Sequence, residues 1–437
     1  MTGPVRLSKR GFVSSVRYAP AILVGRAVRV LARWRKPGGG SAIPGVVVNR
    51  IAPGFLATTL NGFPLGLVIV TGSSGKSTTT KMLVAVLRAH GLTVFTNQST
   101  ANISQGLTSA LLERVSLFGQ IAGDVAVLEM DEGHGAFIAG SLTPRVVALT
   151  NVMVDQIDRF HDSEMVAVLL GKIAVRATET VVVNADDRYL ADLGSSLDST
   201  VRVARYGVTA EVLGQYPRGL GYADTAANRL PAGTGLQLTR VVGRDAAVEF
   251  GAGSHSIRLP ARGIHYAVDA LTALSTAQAT LGEGFDPTIA CAALSAMPAV
   301  FGRGEVVTVG GKTIEFVLVQ NPSSFQLNVD SLEAGTEQIL MIIGSDVRDP
   351  SYFWPVDTSG LGHVLIASGL KAHDIALQLA YDNVRVDCIE PDVPTALNAF
   401  LALPDPTSGV KTIIFSADGM RRTRAHLRLV SNAEDPV

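Results

Sequence analysis

The chain of 437 residues is 47% hydrophobic and 17% charged, with a formal net charge of −1. That balance excludes wholesale disorder, leaves enough apolar material for two or three packed domains, and excludes a global basic field that would draw the chain to nucleic acid. Its two cysteines, Cys291 and Cys388, lie far apart in sequence. They exclude a disulfide framework and a cysteine-only zinc site, and they suit a reducing cytoplasm.

No apolar run reaches the roughly 20 residues needed to cross a bilayer. Residues 21–34 (AILVGRAVRVLARW) come nearest, with Arg26, Arg29 and Arg33 spaced by three and four. This spacing predicts a basic amphipathic helix, either packed on its own domain or lying on a membrane surface. A glycine-rich break follows at residues 38–41, and a folded unit is expected from residue 41. Residues 65–70 (LGLVIV) read as a buried strand, 77–90 as a helix with Leu83, Val84, Val86 and Leu87 inward, and 92–95 as the next strand. Short apolar runs at 125–128, 146–149 and 180–183 each end in polar residues, the pattern of a parallel sheet covered on both faces. Residues 203–260 are glycine-rich and lack a long helix, which predicts an irregular β-rich insertion. Helices are expected at 264–281 and 287–296, a hinge at 302–304, and a second α/β series with strands at 316–319, 339–343, 364–366 and 412–415. Three parts result: an N-terminal basic helix and linker (1–40), a central domain (41–300) and a smaller C-terminal domain (301–437).

The segment Thr71–Thr80 (TGSSGKSTTT) joins a strand to a helix. Glycines there let backbone N–H groups approach phosphates, and the helix N-terminus favours the anion. Gly72, Ser73, Ser74, Gly75, Lys76, Ser77 and Thr78 are thus candidate ATP contacts. Lys76 would reach the outer phosphates and the Ser77 hydroxyl would sit on Mg²⁺. Three carboxylates, Glu129, Asp131 and Glu132, follow the 125–128 strand. Glu129 lies closest to its end and is the favoured second magnesium ligand. Further polar clusters sit where strands end: Thr150-Asn151, Asp155 to Arg159, and Asn184 to Asp187. His134, His161, His265 and His373 have no metal-ligand spacing, and Lys172 reads as a surface lysine.

The order TGSSGKSTTT, LEMDE, TNVMVDQIDRF, NADD, GIHYAVDALTAL, FGRGE and QNP resembles the Mur ligase superfamily. Within it, the segments GGGSAIPG, TNQSTANISQGL, NPSSF, DPSYFWPVD and GLKAHDIALQLAY are similar to the MurT branch, the synthetase subunits that amidate lipid II. The resemblance covers about residues 38–430. It implies a central ATPase domain with a parallel-rich sheet, joined to a smaller Rossmann-like C-terminal α/β domain. It implies ATP and Mg²⁺, a lipid II or related peptidoglycan acceptor activated as an acyl phosphate, and ammonia from a GatD-like glutaminase partner. Location would be cytoplasmic, with the inner membrane face open. By the same resemblance Asn151, Asn184, Asp187 and His265 join the nucleotide contacts. Arg303, at the hinge, is the candidate arginine for the γ-phosphoryl group, with capping of the interdomain linker as its alternative, and by the resemblance Asp349 would complete the partner's Cys–His pair. A stand-alone Mur-type ligase and a non-catalytic nucleotide-binding scaffold are the alternatives. The chain departs from the branch in three places. Residues 203–260 hold no cysteine for the usual zinc ribbon, Ser74 replaces an Asn, and His265-Tyr266 replaces Tyr-Asn.

Elemental analysis of the purified protein should therefore find no stoichiometric zinc, while ATP turnover should require Mg²⁺. One zinc per chain would refute this reading of residues 203–260.

Overall fold

The computed structural model describes residues 17–35, 42–97, 104–117, 119, 121–153, 162–222, 230, 234–251, 253–299, 302–333, 335–349 and 353–429. The glycine-rich linker, the Asp155–Arg159 cluster and His161 lie outside them.

Nine strands form the first sheet: β1 (Leu67–Thr71), β2 (Val94–Thr96), β3 (Val125–Glu129), β4 (Val146–Leu149), β5 (Thr180–Asn184), β6 (Arg202–Val208), β7 (Leu236–Val242), β8 (Asp245–Phe250) and β9 (Gly253–Arg258). Their order is β2-β3-β1-β4-β5-β6-β7-β8-β9. The strands from β2 across to β7 are parallel, and β7, β8 and β9 form an antiparallel meander at the edge. The chain leaves β1 between β3 and β4, the switch point where open α/β sheets bind ligands.

β1, β3, β4 and β5 are buried throughout, because helices cover both faces. Val68 and Val70 point to one layer, with Leu83, Val84 and Leu87 of the Lys76–Ala89 helix and the apolar side chains of Ile264–Leu281. Leu67 and Ile69 point to the other, with Ile22, Val48, Phe55 and Leu111. The Ile264–Leu281 helix is buried almost all round. Its Thr272, Thr276 and Thr280 hydroxyls stay satisfied by donating to the carbonyls four residues back, at 2.6–2.9 Å.

Residues 203–260 are β-rich as expected, but they are not set apart as an irregular insertion: β6 to β9 extend the main sheet. The alternation of small and polar residues hid these strands, since only one of their faces is deeply covered. The basic helix, Ala19–Arg35, packs on the same layer as the sheet through Ala21 and Ile22. Residue 40 therefore marks a linker in the chain and not a gap in the packing.

The second sheet has six strands: β10 (Arg303–Val309), β11 (Lys312–Leu318), β12 (Ile339–Ile342), β13 (His363–Ser368), β14 (Arg385–Glu390) and β15 (Lys411–Phe415). Their order is β10-β11-β15-β12-β13-β14, parallel except for β10. The expected hinge at 302–304 is the entry into β10.

Two arginines tie the sheets together. Arg262, before the long helix, pairs with Glu315 of β11 at 2.6 Å and also with Glu333. Arg218 pairs with Asp330 at 2.9 Å and with Asp357. Glu315 is almost fully buried, so its carboxylate depends on that guanidinium. Arg262→Ala should lower the thermal midpoint, at a cost on the order of 3 kcal/mol, and adding Glu315→Gln should recover much of it. A single variant that melts with the wild type would show the pair to be energetically silent.

Candidate functional site

The loop after β1 is held by its surroundings on every side. Gly72 has φ +137°, and a Cβ there would lie 2.1 Å from Thr150 Oγ1; at Gly75, with φ +81°, it would lie 2.0 Å from Asp269 Oδ1. Only glycine fits either position. Between them, Ser74 N–H donates to Asn151 Oδ1 at 3.0 Å, while Asn151 Nδ2 and Thr150 Oγ1 donate to Ser74 O at 3.2 and 2.7 Å. Ser73 N–H donates to Asn151 O at 2.9 Å. Asn151 thus clamps the loop through its amide.

The Lys76–Ala89 helix starts directly after Gly75. Lys76 Nζ donates to Gly72 O at 2.5 Å, Ser73 O at 3.2 Å and Glu132 Oε1 at 3.1 Å. Ser77 Oγ donates to Glu129 Oε1 at 2.9 Å. Asn97 fixes the end of β3 by exchanging two 3.0 Å hydrogen bonds with the Glu129 backbone. The three carboxylates now separate by role. Glu129 meets Ser77, Glu132 pairs with Lys76, and Asp131 caps the Glu132–Ile138 helix by accepting from His134 N. Burial raises the pKa of Glu129, opposed by the Ser77 hydrogen bond and the charge of Lys76. Burial likewise raises that of Glu132, opposed by Lys76. Ser77 Oγ and Glu129 give a pair of oxygen donors beside the loop, the donor type Mg²⁺ takes, and Glu132 Oε2 is buried without a partner.

A cleft opens from the loop toward the second sheet. Ser74, Gly75, Thr78, Asn151, His265 and Asp269 line one side. Arg303, Gln320, Ser324 and Asn328 line the other. Arg303 donates to Gln320 Oε1 at 3.2 Å. The segment NPSSF begins a helix: Asn321 caps Pro322–Ser331 with a reciprocal Ser324 bond, and this turns Ser324 and Asn328 into the cleft. Burial, with the Arg303 charge, pushes the His265 pKa down to about 4, so its ring is neutral at physiological pH. Its Nδ1 is buried without a partner.

The structure brings together Gly72, Ser73, Ser74, Gly75, Lys76, Ser77, Thr78, Glu129, Asn151, His265 and Arg303. Asn184 and Asp187 stand behind them and do not line the cleft. Asp187 accepts from Val152 N at 2.6 Å and Tyr189 N at 2.9 Å, and burial pushes its pKa up to about 6. It supports the turn that carries Asn151. Asn184 Oδ1 accepts from Asp186 N at 3.1 Å. Asp349 is exposed in the loop after β12, apart from the cleft-lining residues. Lys172 is exposed on the Ser163–Ala174 helix.

Sequence reasoning passed over Asp269 and Lys81, and it named Glu132 only as one of three strand-end carboxylates, not as the partner of Lys76. Asp269 lies four residues after His265, on the same helix face, and that spacing was the available signal. Burial raises its pKa despite the nearby Arg303. Lys81 is one turn beyond Ser77, and burial lowers its pKa, helped by Arg303.

Residues 70–277 match the Mur ligase middle domain, and residues 318–414 match the MurT ligase C-terminal domain. Both regions are thus similar to the Mur ligase superfamily, the second to its MurT branch. The MurT subunit of the glutamine-hydrolysing lipid II isoglutaminyl synthase of Streptococcus pneumoniae is 25% identical over 397 residues, covering 82% of this chain and 85% of that protein. The corresponding Staphylococcus aureus (strain COL) subunit is 26% identical over 171 residues, 39% of this chain and little more than a third (37%) of its own length. MurF ligase of Thermotoga maritima, solved in complex with ADP, superposes with a TM-score of 0.63 at 19% identity, over 91% of this chain and 84% of that one. At that identity the superposition establishes the fold alone. Residues 278–317, between the two matched regions, include Arg303 of β10, which lines the cleft opposite the loop.

Lys76→Ala should lower nucleotide turnover by about 10²-fold or more. It should also lower the thermal midpoint, because Glu132 loses its cation. Adding Glu132→Gln should restore the midpoint and leave turnover lost. Recovery of turnover in the double variant would mean that Lys76 serves only to hold Glu132.

Proposed function

We propose that this protein is an ATP-dependent carboxylate–amine ligase. In this reading it is the synthetase subunit that activates the D-glutamate α-carboxyl of the lipid II stem peptide and amidates it with ammonia. The observation that carries the proposal is the cluster of Lys76, Ser77 and Glu129 beside a cleft whose far side is lined by Arg303, just before the region that matches the MurT ligase C-terminal domain. A carboxylate is a poor electrophile. Transfer of the γ-phosphoryl group to its oxygen forms an acyl phosphate, and attack of ammonia on the carbonyl carbon then expels phosphate. The phosphoryl-transfer step spreads negative charge over the γ-oxygens, so positioned cations do most of the catalytic work. In this reading Lys76, held beside the loop, and Arg303, on the cleft wall opposite Ser74 and Gly75, stabilise that charge. Mg²⁺, when bound, would be held by Ser77 and Glu129 and would neutralise charge on the outer phosphates. His265 and Asp269 line the same wall, and the neutral His265 ring is suited to hydrogen bonding with the nucleotide. The C-terminal wall helps to exclude water, which would otherwise hydrolyse the acyl phosphate.

The acceptor is lipid-borne in this reading, so the enzyme works in the cytoplasm at the inner membrane face. Ammonia comes from a GatD-like glutaminase. In this reading Asp349, exposed on a loop outside the cleft, orients a histidine of that partner.

Asp349→Asn should depress glutamine hydrolysis in the complex by at least about tenfold and spare ammonia-driven amidation, because a triad carboxylate acts through the imidazole it orients. Assaying the two half-reactions separately decides the matter. Loss of ammonia-driven synthesis with normal glutaminase would move Asp349 into the ligase site, and no change in either would remove it from both.

A further inference from the structure

Glu113 is the first acidic residue of the chain, whereas ten Arg or Lys residues fall within the first 50 positions of a protein whose net charge is −1. Two of these arginines set the roll of the Ala19–Arg35 helix. Arg26 Nε donates to Leu112 O at 3.2 Å and its terminal nitrogen to Val115 O, at the C-terminus of the Ser104–Arg114 helix. Arg29 pairs with Glu113. Gly25 on the same inner side packs against Val48 and Leu112. Arg26 and Arg29 therefore turn inward or to the flank of the helix, the reverse of an ordinary surface helix.

Among the described side chains of the helix, what this leaves outside is apolar. Pro20, Leu23, Val24, Ala27, Val30 and Leu31, at helical spacings of three and four, are all exposed. Leu23 is 55%, Val30 56% and Leu31 65% exposed. The adjoining Ile43–Ile51 helix adds exposed Ile43, Val46 and Ile51, together with Arg50. The stripe follows Arg17, which is exposed, and the sequence continues from it into Arg33, Arg35 and Lys36. An apolar face flanked by exposed Arg17 and Arg50, on two helices that themselves carry no acidic residue, is the complement of an anionic bilayer: acyl chains for the stripe, headgroup phosphates for the charges. No described helix is long and apolar enough to cross a membrane, which matches a helix lying in the interface.

We infer that the exposed face of the Ala19–Arg35 and Ile43–Ile51 helices is a docking surface for an anionic lipid bilayer. The inference gives a surface to the membrane-side location proposed above and rests on that reading only for the choice of leaflet. The surface is separate from the nucleotide cleft, so docking and catalysis can fail independently.

The test is co-sedimentation of the full-length protein with vesicles of 40% phosphatidylglycerol in phosphatidylcholine, and with pure phosphatidylcholine, at low and high salt. Anionic vesicles should bind the wild type, with partitioning that falls at least fivefold in high salt or on neutral vesicles. Leu23→Glu/Leu31→Glu should reduce partitioning at least tenfold, with an unchanged thermal midpoint and unchanged ATP turnover in solution. No binding by the wild type would overturn the proposal, as would equal binding by the variant or equal binding to neutral vesicles. A wild-type dimer that the variant converts to a monomer, without vesicle binding by either, would assign the stripe to a protein interface instead. Lost ATP turnover with intact vesicle binding would count against the ligase reading alone.

Discussion

The clamp between Ser74 and Asn151 is the constraint on which the rest of the site depends. A phosphate-binding loop works only if its N–H groups are aimed before the anion arrives, since aiming them afterwards costs conformational entropy. Here one amide side chain both accepts from and donates to the peptide groups of Ser74, and Thr150 adds a third bond. The clamp is itself supported from beneath. Tyr206, fully buried on β6, donates to the carbonyls of Leu149 and Thr150, and Asp187 holds Val152. Strands two and three places away from β1 thus reach the loop through a chain of hydrogen bonds. This explains why residues that touch no part of the cleft are buried polar groups.

Burial and charge work against each other throughout this region. Glu129, Glu132 and Asp269 sit within a short span around Lys76 and Arg303, and each carboxyl is pushed upward by loss of solvent. The low-dielectric setting makes each remaining charge count for more. Lys76 and Arg303 therefore act on groups that water no longer screens.

Much of this architecture could be read from the chain. The β1-loop-helix unit, the apolar strands that follow and the Ile264–Leu281 helix are visible because two-sided burial leaves continuous apolar runs. The edge strands β6 to β9 were harder, since one-sided burial leaves a weak alternation interrupted by glycine. Lys76, Ser77 and Glu129 were legible from their place at strand ends. Asp269 was not, because an acid inside a buried helix looks like a packing error until Gly75 is seen against it. Likewise the roles of Asn184 and Asp187 could not be separated from those of true cleft residues. Strand-end position is shared by residues that face a ligand and residues that support those that do.

Arg303 has one further consequence. It lies in β10, at a register shift against β11 and between two glycines of positive φ, each packed so tightly that a Cβ would meet Met420 or Ala261 at 2.4 Å. Its backbone belongs to one sheet and its guanidinium faces the loop of the other. Tilting the C-terminal domain must therefore move this cation relative to the phosphate loop. Thermodynamic linkage makes the relation reciprocal: whatever binds the C-terminal domain and prefers one tilt changes nucleotide affinity by the same factor by which nucleotide changes its own. A chain built this way can sense whatever binds its C-terminal sheet through the tilt of that sheet, with no contact between the binder and the nucleotide.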